Sequence, residues 1–285
     1  MATRTIAARI SGLYEVLLAA YGRRGWWPIT SLAGRAGFDA RGYHPGDYDQ
    51  PLSARARFEI AVGAILTQNT AWTNAESALA RLRAAGVGLP DDVNALPPEH
   101  LARLIGPAGY FNQKARKLGG IARLFARPGA LTLRGAPSRE KLLEQWGIGP
   151  ETADSILLYA FRVPVFVIDA YTRRTFGRIG LIDADEGYAG IQSRLLAALP
   201  ADHALYNEYH ALIVEHAKRH CRSKPLCEGC PVRPCRYRAH GRPSLPARAL
   251  YSVRGRPPSR RASAPAGQGL PPSAPLRGAT HPLPR

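Results

Sequence analysis

Apolar side chains recur at three- and four-residue spacing along most of the chain, the pattern of helices that bury one face. Residues 8–22 carry it, and a Trp26-Trp27-Pro28 element followed by a Gly-rich polar stretch to about Asp49 interrupts it. The pattern returns from Arg55 to about Leu82, broken at Thr67-Gln68-Asn69-Thr70. Residues 99–105 and 113–126 read as two more helices, separated by Gly106 to Gly109. Ser138 is placed to cap a helix over 139–145, and Pro150 suits the first turn of one running to about Phe161. A short apolar run, Val163 to Ile168, ends at Asp169, and a helix is expected from Ala170. Helices over about 186–198 and 203–219 complete the series. Only the run before Asp169 looks extended, so the expected class is all-α.

Charge adds a partner to this picture. The 285 residues carry 39 Lys and Arg against 21 Asp and Glu, a formal +18, which favours a polyanion. Five of the cations are Lys and 34 are Arg, the residue better suited to gripping phosphate. From Gly241 to Arg285 there are ten Pro, eight Arg, no acidic residue and no apolar period, the composition of a disordered basic tail. Without those eight charges the body still carries +10, so its basic character is its own. No run of about 18 apolar residues occurs, and no export signal pattern is seen near Met1, so a cytoplasmic protein without a membrane span is expected.

All four cysteines lie in one window, Cys221-x5-Cys227-x2-Cys230-x4-Cys235. A secreted protein would scatter its pairs to staple distant segments; one tight group indicates a metal site in a reducing compartment. Four thiolates complete a tetrahedral zinc site or a cubane iron–sulfur cluster. Structural zinc sites usually use two Cys-x2-Cys pairs, and only one is present. A [4Fe–4S] cluster wrapped by one compact loop is therefore expected, with zinc or free thiols as alternatives. The loop also carries Arg219, Arg222, Lys224, Arg233, Arg236 and Arg238, either a phosphate-facing surface or ordinary solvated charges.

Residues 142–157, LLEQWGIGPETADSIL, read as helix, tight turn, helix. Gly147 and Gly149 allow positive φ and close backbone approach, and Ile148 should plug back between the helices. The amides opening the second helix then face outward as anion donors. Such a helix–hairpin–helix grips a phosphate run without reading sequence, although a plain turn between two helices has the same signature. Asp169, at the end of the apolar run, is a simple N-cap when taken alone.

Together, ILTQNT (65–70), GYFNQKARKL (109–118), GIGPETADSIL (147–157), VFVIDAYTRR (165–174) and the cysteine loop resemble the endonuclease III superfamily of helix–hairpin–helix-Gly/Pro/Asp DNA glycosylases. The resemblance covers about residues 10–238 and implies a glycosylase core over 1–240. A six-helix lobe would span about 55–170, the N- and C-terminal segments would form a cluster lobe, and a cleft would lie between them. It places Asp169 as the catalytic aspartate and Gln68 as the residue inserted where a base is flipped out. It implies a monomer acting on double-stranded DNA containing damaged bases.

Two departures shape the expected activity. Bifunctional members carry a catalytic lysine two residues after the position of Gly149; this chain has Glu151 there. A carboxylate cannot form a Schiff base, so a monofunctional enzyme is expected. Lys114 and Lys117 are the nearest lysines by motif, and neither matches the family position. The Trp26-Trp27-Pro28 element and Trp72, after ILTQNT, look most like the 3-methyladenine glycosylase branch, whose tryptophans stack on the extruded purine. That branch lacks the cysteine loop and has a modified lysine where this chain has Leu212. The expectation is removal of an alkylated purine such as 3-methyladenine. Uracil or mismatched thymine as substrate, a bifunctional lyase, or a catalytically silent DNA-binding module are the alternatives. The tryptophan pair also reads as plain core packing, His210 as a core histidine or one lying behind the cysteine ligands rather than a ligand itself, Tyr171 as a residue lining the cleft, and Glu151 as an ordinary helix-start carboxylate.

Overall fold

The computed structural model describes residues 5–183 and 185–240. The basic tail expected from Gly241 onward lies outside these residues.

Among the described residues all regular structure is helical. The helices are α1 (Ile6–Tyr21), α2 (Ala54–Leu66), α3 (Trp72–Ala84), α4 (Pro90–Asn94), α5 (Pro98–Leu104), α6 (Phe111–Phe125), α7 (Arg139–Leu143), α8 (Pro150–Ser155), α9 (Ala170–Ile179), α10 (Tyr188–Ala198), α11 (His203–Arg219) and α12 (Arg236–His240). Short polar side chains start several of them. Thr5, Ser53, Ser138 and Asp202 each accept a hydrogen bond from an amide in the first turn that follows. Helix α2 is buried almost all round, from Ala56 to Leu66, which marks it as the central element. Helix α1 buries Ile10, Leu13 and Leu17 and packs on α10 and α11, so the N-terminal helix lies against helices from the far end of the described chain.

Three details differ from the periodic pattern. The helix from Pro150 does not continue as one α-helix to Phe161. After Ser155 it widens into a π-helical turn, Ile156–Ala160, and the Ala160 carbonyl accepts from the buried guanidinium of Arg57. The run 163–168 is extended but pairs with no strand. The Val163 and Val165 amides donate to the Leu157 and Val163 carbonyls at 3.0 and 2.8 Å, and side chains meet two further groups: the Phe166 carbonyl accepts from Gln192 Nε2 at 2.7 Å, and the Ile168 amide donates to Tyr188 Oη at 3.4 Å. Helices α4 and α12 are too short to show an apolar period.

One buried carboxylate joins these pieces. Asp154 on α8 is fully enclosed. It accepts from Arg139 Nε at 2.6 Å and Nη2 at 3.1 Å, from Tyr188 Oη at 2.7 Å and from Gln192 Nε2 at 2.8 Å. The same Tyr188 and Gln192 hold the 163–168 run, so α7, α8, α10 and the approach to Asp169 share one polar node. Removing one partner of a buried ion pair typically costs ~3–5 kcal/mol. Asp154→Ala should therefore lower unfolding free energy in urea by ~3–5 kcal/mol, and a loss under ~1 kcal/mol would show that the node is not a fixed point of the fold.

Candidate functional site

Asp169 sits where the extended run meets α9. It is the N-cap of α9, and Oδ1 accepts from the Thr172 amide at 2.7 Å. The cap leaves Oδ2 free to face His210 of α11, whose Nε2 is 3.4 Å away. That contact is an ion-pair distance without hydrogen-bond alignment, since Nε2 has no partner of bonding geometry. The other ring nitrogen, Nδ1, bonds the hydroxyl of Tyr159 in the π-helical turn. A Tyr159 hydroxyl donating to Nδ1 leaves the proton of the neutral ring on Nε2, the nitrogen nearer Asp169. Burial pushes the Asp169 carboxyl up, but His210 and the Thr172 bonds outweigh it and hold the group below the usual carboxylate range. Burial, reinforced by the Asp169 charge, pushes the Tyr159 phenol well up, so it remains a donor.

Asp169, His210 and Glu151 line one cavity of about 490 Å3 together with Trp26, Trp27, Trp72 and Gln68. The tryptophans come from two segments and meet edge to face, Trp26–Trp27 at 6.0 Å and Trp27–Trp72 at 5.6 Å between ring centres. Trp27 is admitted by Gly63 of α2, where a Cβ would lie 3.1 Å from the indole nitrogen. Neither Trp27 Nε1 nor Trp72 Nε1 has a hydrogen-bond partner. Trp26 also lies 5.7 Å from the His210 ring, so the aromatic wall and the carboxylate's partner are in contact. Arg41, Tyr43, Tyr171 and Lys218 line the cavity as well.

Glu151 occupies the first turn of α8, facing this space. It is open to solvent through the cavity, yet protein crowds it enough to penalise its charge. That burial, then the neighbouring Asp169 carboxylate, pushes its pKa up to about 7, against a smaller opposing pull from Arg173.

Gln68 lies in the turn after α2 and is tied to the hairpin. Its Nε2 donates to Thr152 Oγ1 at 2.8 Å and to the Gly147 carbonyl at 3.3 Å, and its Oε1 accepts from Lys117 Nζ. Ile148 is buried between the hairpin helices. At Gly147, φ is +75° and a Cβ would lie 2.4 Å from Lys117 Cε, whereas a Cβ on Gly149 would meet nothing within 4 Å. Lys114, one of the two lysines nearest by motif, is fully buried and donates to the Leu66 and Ala108 carbonyls and to Thr70 Oγ1, each at 2.8 Å, so it clamps the turn and faces no cavity.

The cysteines form a separate group. All four line a second cavity with Ile179, Leu226, Val232 and Arg178, and none is in a disulfide. The buried Arg178 bridges α9 to the loop, with Nη1 3.4 Å from Cys221 Sγ and donating to the Arg222 carbonyl, and Nη2 donating to that of Ser223. Among the described residues, no three His, Cys, Asp or Glu side chains converge on one ion-sized point.

Sequence reasoning did not assign Tyr159, Lys218 or Arg41 to the site. His210, read as a core residue, is buried as expected and also borders the cavity around Asp169; Glu151, read as a plain helix-start carboxylate, stands in the first turn of α8 and lines the same cavity. The Glu151 position was the available signal, because it stands where relatives carry a reactive side chain.

A model of the family described as "HhH-GPD superfamily base excision DNA repair protein" matches residues 62–201. The chain is 38% identical over 228 residues to a Methanocaldococcus jannaschii protein named "Putative DNA repair glycosylase MJ1434", covering 78% of this chain and 92% of that one. It is 29% identical over 184 residues to endonuclease III of Sulfolobus acidocaldarius, covering 63% of this chain and 82% of that one. Among solved structures, 3-methyladenine DNA glycosylase of H. pylori bound to 1,N6-ethenoadenine superposes with a TM-score of 0.57 at 25% identity, covering 76% of this chain and 98% of that one. A trapped endonuclease III–DNA covalent intermediate has a TM-score of 0.62 at 20% identity, covering 83% and 97%, and shares the fold. This chain belongs to the HhH-GPD superfamily of base excision DNA repair proteins, the endonuclease III superfamily of DNA glycosylases.

The Asp169 pKa has a direct test. Because it lies below the unfolded value of about 3.9, this pairing contributes stability above that pH and loses it as pH falls through the folded pKa. His210→Phe removes the largest opposing attraction and leaves burial dominant. Carboxyl NMR should then show Asp169 titrating at higher pH; an unchanged midpoint would assign the depression to the Thr172 bonds alone.

Proposed function

We propose that this protein is a monofunctional DNA glycosylase that hydrolyses the N-glycosidic bond of an alkylated purine such as 3-methyladenine. The observation that carries the reading is a carboxylate held ionised at the wall of a tryptophan-lined cavity, with Glu151 in place of an amine on α8. In this reading the hairpin around Gly147, Ile148 and Gly149 holds the phosphate backbone, and damaged double-stranded DNA is the partner. The target base leaves the stack at a cost of a few kcal/mol and enters the cavity, while Gln68 fills the gap. Stacking on Trp26, Trp27 or Trp72 returns ~1–3 kcal/mol, and a cationic alkylated base gains cation–π attraction as well. Asp169 stabilises the positive charge growing on the sugar and orients the attacking water through Oδ2. His210 fixes that oxygen.

A [4Fe–4S] cluster fits the donor set, four free thiols from one loop that line one cavity. Such a group would tie the loop to α9 and α11, and the chemistry assigned to Asp169 does not require it.

The experiment is base release from methylated duplex DNA, with strand breaks scored before and after alkali. Wild type should release 3-methyladenine and give breaks only after alkali. Asp169→Asn should bind the same DNA but lose at least ~100-fold in single-turnover rate, as expected for losing a charge aimed at the transition state. Near-normal turnover would remove Asp169 from the reaction. Borohydride should trap no protein–DNA adduct; an adduct lost in Lys218→Gln would instead make the cavity's lysine a nucleophile. Protein purified without oxygen should contain iron and sulfide in equal amounts with broad visible absorption, and stoichiometric zinc would overturn the cluster assignment.

A further inference from the structure

We propose that Glu151 is a second catalytic group, a carboxylic acid that protonates the departing base, so that the site also removes neutral purine adducts. This rests on the glycosylase reading above and specifies what its cavity accepts.

Two carboxyl groups face one cavity and have been given opposite surroundings. Asp169 is engaged by Thr172 and His210. The Glu151 carboxylate makes no hydrogen bond or ion pair among the described residues, although it stands in the cavity wall. A carboxylate in a helix's first turn is ordinarily favoured in its charged form by the helix dipole. Crowding by protein and the nearby Asp169 charge reverse that preference and raise the Glu151 pKa to about 7, so below that pH the free site carries its negative charge on Asp169 and a proton on Glu151. Asp169 at the N-cap of α9, Arg173 of α9 and Tyr188 of α10 interact electrostatically with Glu151, and His210 and Lys218 of α11 and Arg41 from the loop after Pro28 line the same cavity. Arg173 favours the ionised form, and Arg41 and Lys218 add positive charge to the cavity.

The distinction is chemical. An N3- or N7-alkylated purine already carries positive charge, and its glycosidic bond breaks without acid help. A neutral purine leaves as an anion unless a ring nitrogen is protonated first. In the proposed step the Glu151 proton passes to that nitrogen while the C1′–N9 bond breaks and its electron pair goes to the base. The sugar is left as an oxocarbenium ion beside Asp169, and Glu151 becomes a carboxylate. Water then adds to C1′, its proton leaves through Asp169 to solvent, and Glu151 is reprotonated from solvent. The sum is the damaged nucleotide plus water giving free base and an abasic sugar, with no redox partner.

The test uses the full chain on two duplexes in single turnover, one carrying a neutral adduct (1,N6-ethenoadenine or hypoxanthine) and one carrying a cationic one (7-methylguanine or 3-methyladenine). Glu151→Gln should lose about 100-fold or more on the neutral adduct and at most a few-fold on the cationic one, which also reports that the variant is folded. Wild type should slow on the neutral adduct as pH rises through about 7, the range in which Glu151 gives up its proton, and Glu151→Gln should flatten that limb. Glu151→Asp should recover part of the neutral-adduct rate. An equal loss on both duplexes would make Glu151 a structural residue, and no loss on either would remove it from the reaction; each overturns the proposal while Asp169→Asn still tests the glycosylase reading. Release of neither base by wild type overturns both.

Discussion

Asp154 sets the geometry on which the site depends. Four donor groups from Arg139, Tyr188 and Gln192 converge on its two oxygens, and two of those side chains also hold the backbone of the 163–168 run. An extended segment inside a helical protein has no ladder to fix its register, and its amides and carbonyls must find partners elsewhere. Tyr188 and Gln192 supply two of them, at Ile168 and Phe166, and both side chains are bound by Asp154. Asp154 lies on α8, three residues after Glu151, and the run it anchors ends at Asp169. The separation between the two cavity carboxyl groups is therefore set by a third carboxyl group that faces neither the cavity nor solvent.

Within the cavity, capping and electrostatics use different atoms of one side chain. Asp169 Oδ1 is committed to the Thr172 amide and Oδ2 is turned to His210. The N-cap and the reactive carboxylate are not rival readings, because the cap fixes the rotamer that presents the second oxygen. Tyr159 extends the arrangement by bonding the far side of His210. It can do so because α8 widens into a π-helical turn, and the carbonyl at the end of that turn is taken by Arg57. Local irregularity there has its backbone group satisfied and delivers a side chain to the site.

What was legible in the chain follows from how far apart the partners are. Gln68, Asp169, the tryptophans and the hairpin each announce themselves in a few consecutive residues, and the helices around them follow their apolar period. The His210–Asp169 and Tyr159–His210 contacts join segments remote in sequence, and nothing local marks either member. Asp154 lies inside the hairpin motif but is indistinguishable there from a solvent-facing helical aspartate until Arg139, Tyr188 and Gln192 are in place. The π-helical turn is hidden for another reason: residues 156–161 are apolar throughout, so a change of phase leaves no polar position out of step. Glu151 was visible as a missing lysine; what it does instead depends on a cavity that no single segment encodes.

Gln68 ties together the hairpin and the cavity, the two parts to which the proposed function assigns the DNA backbone and the extruded base. Its amide is bound to the Gly147 carbonyl, to Thr152 on α8 and to Lys117 on α6. In the role proposed for it, entry into the duplex breaks these bonds, each worth a net ~0.5–1.5 kcal/mol. A duplex that brought only phosphate contacts would leave that cost unmet, because the hairpin already binds Gln68 without DNA. Unstacked space beside an extruded base supplies new partners for the amide, and the cavity returns stacking energy at the same moment. The hairpin would therefore hold intact DNA with Gln68 docked and release it only where a base leaves the stack readily. This separates nonspecific grip from commitment to a lesion without any contact that reads the surrounding sequence.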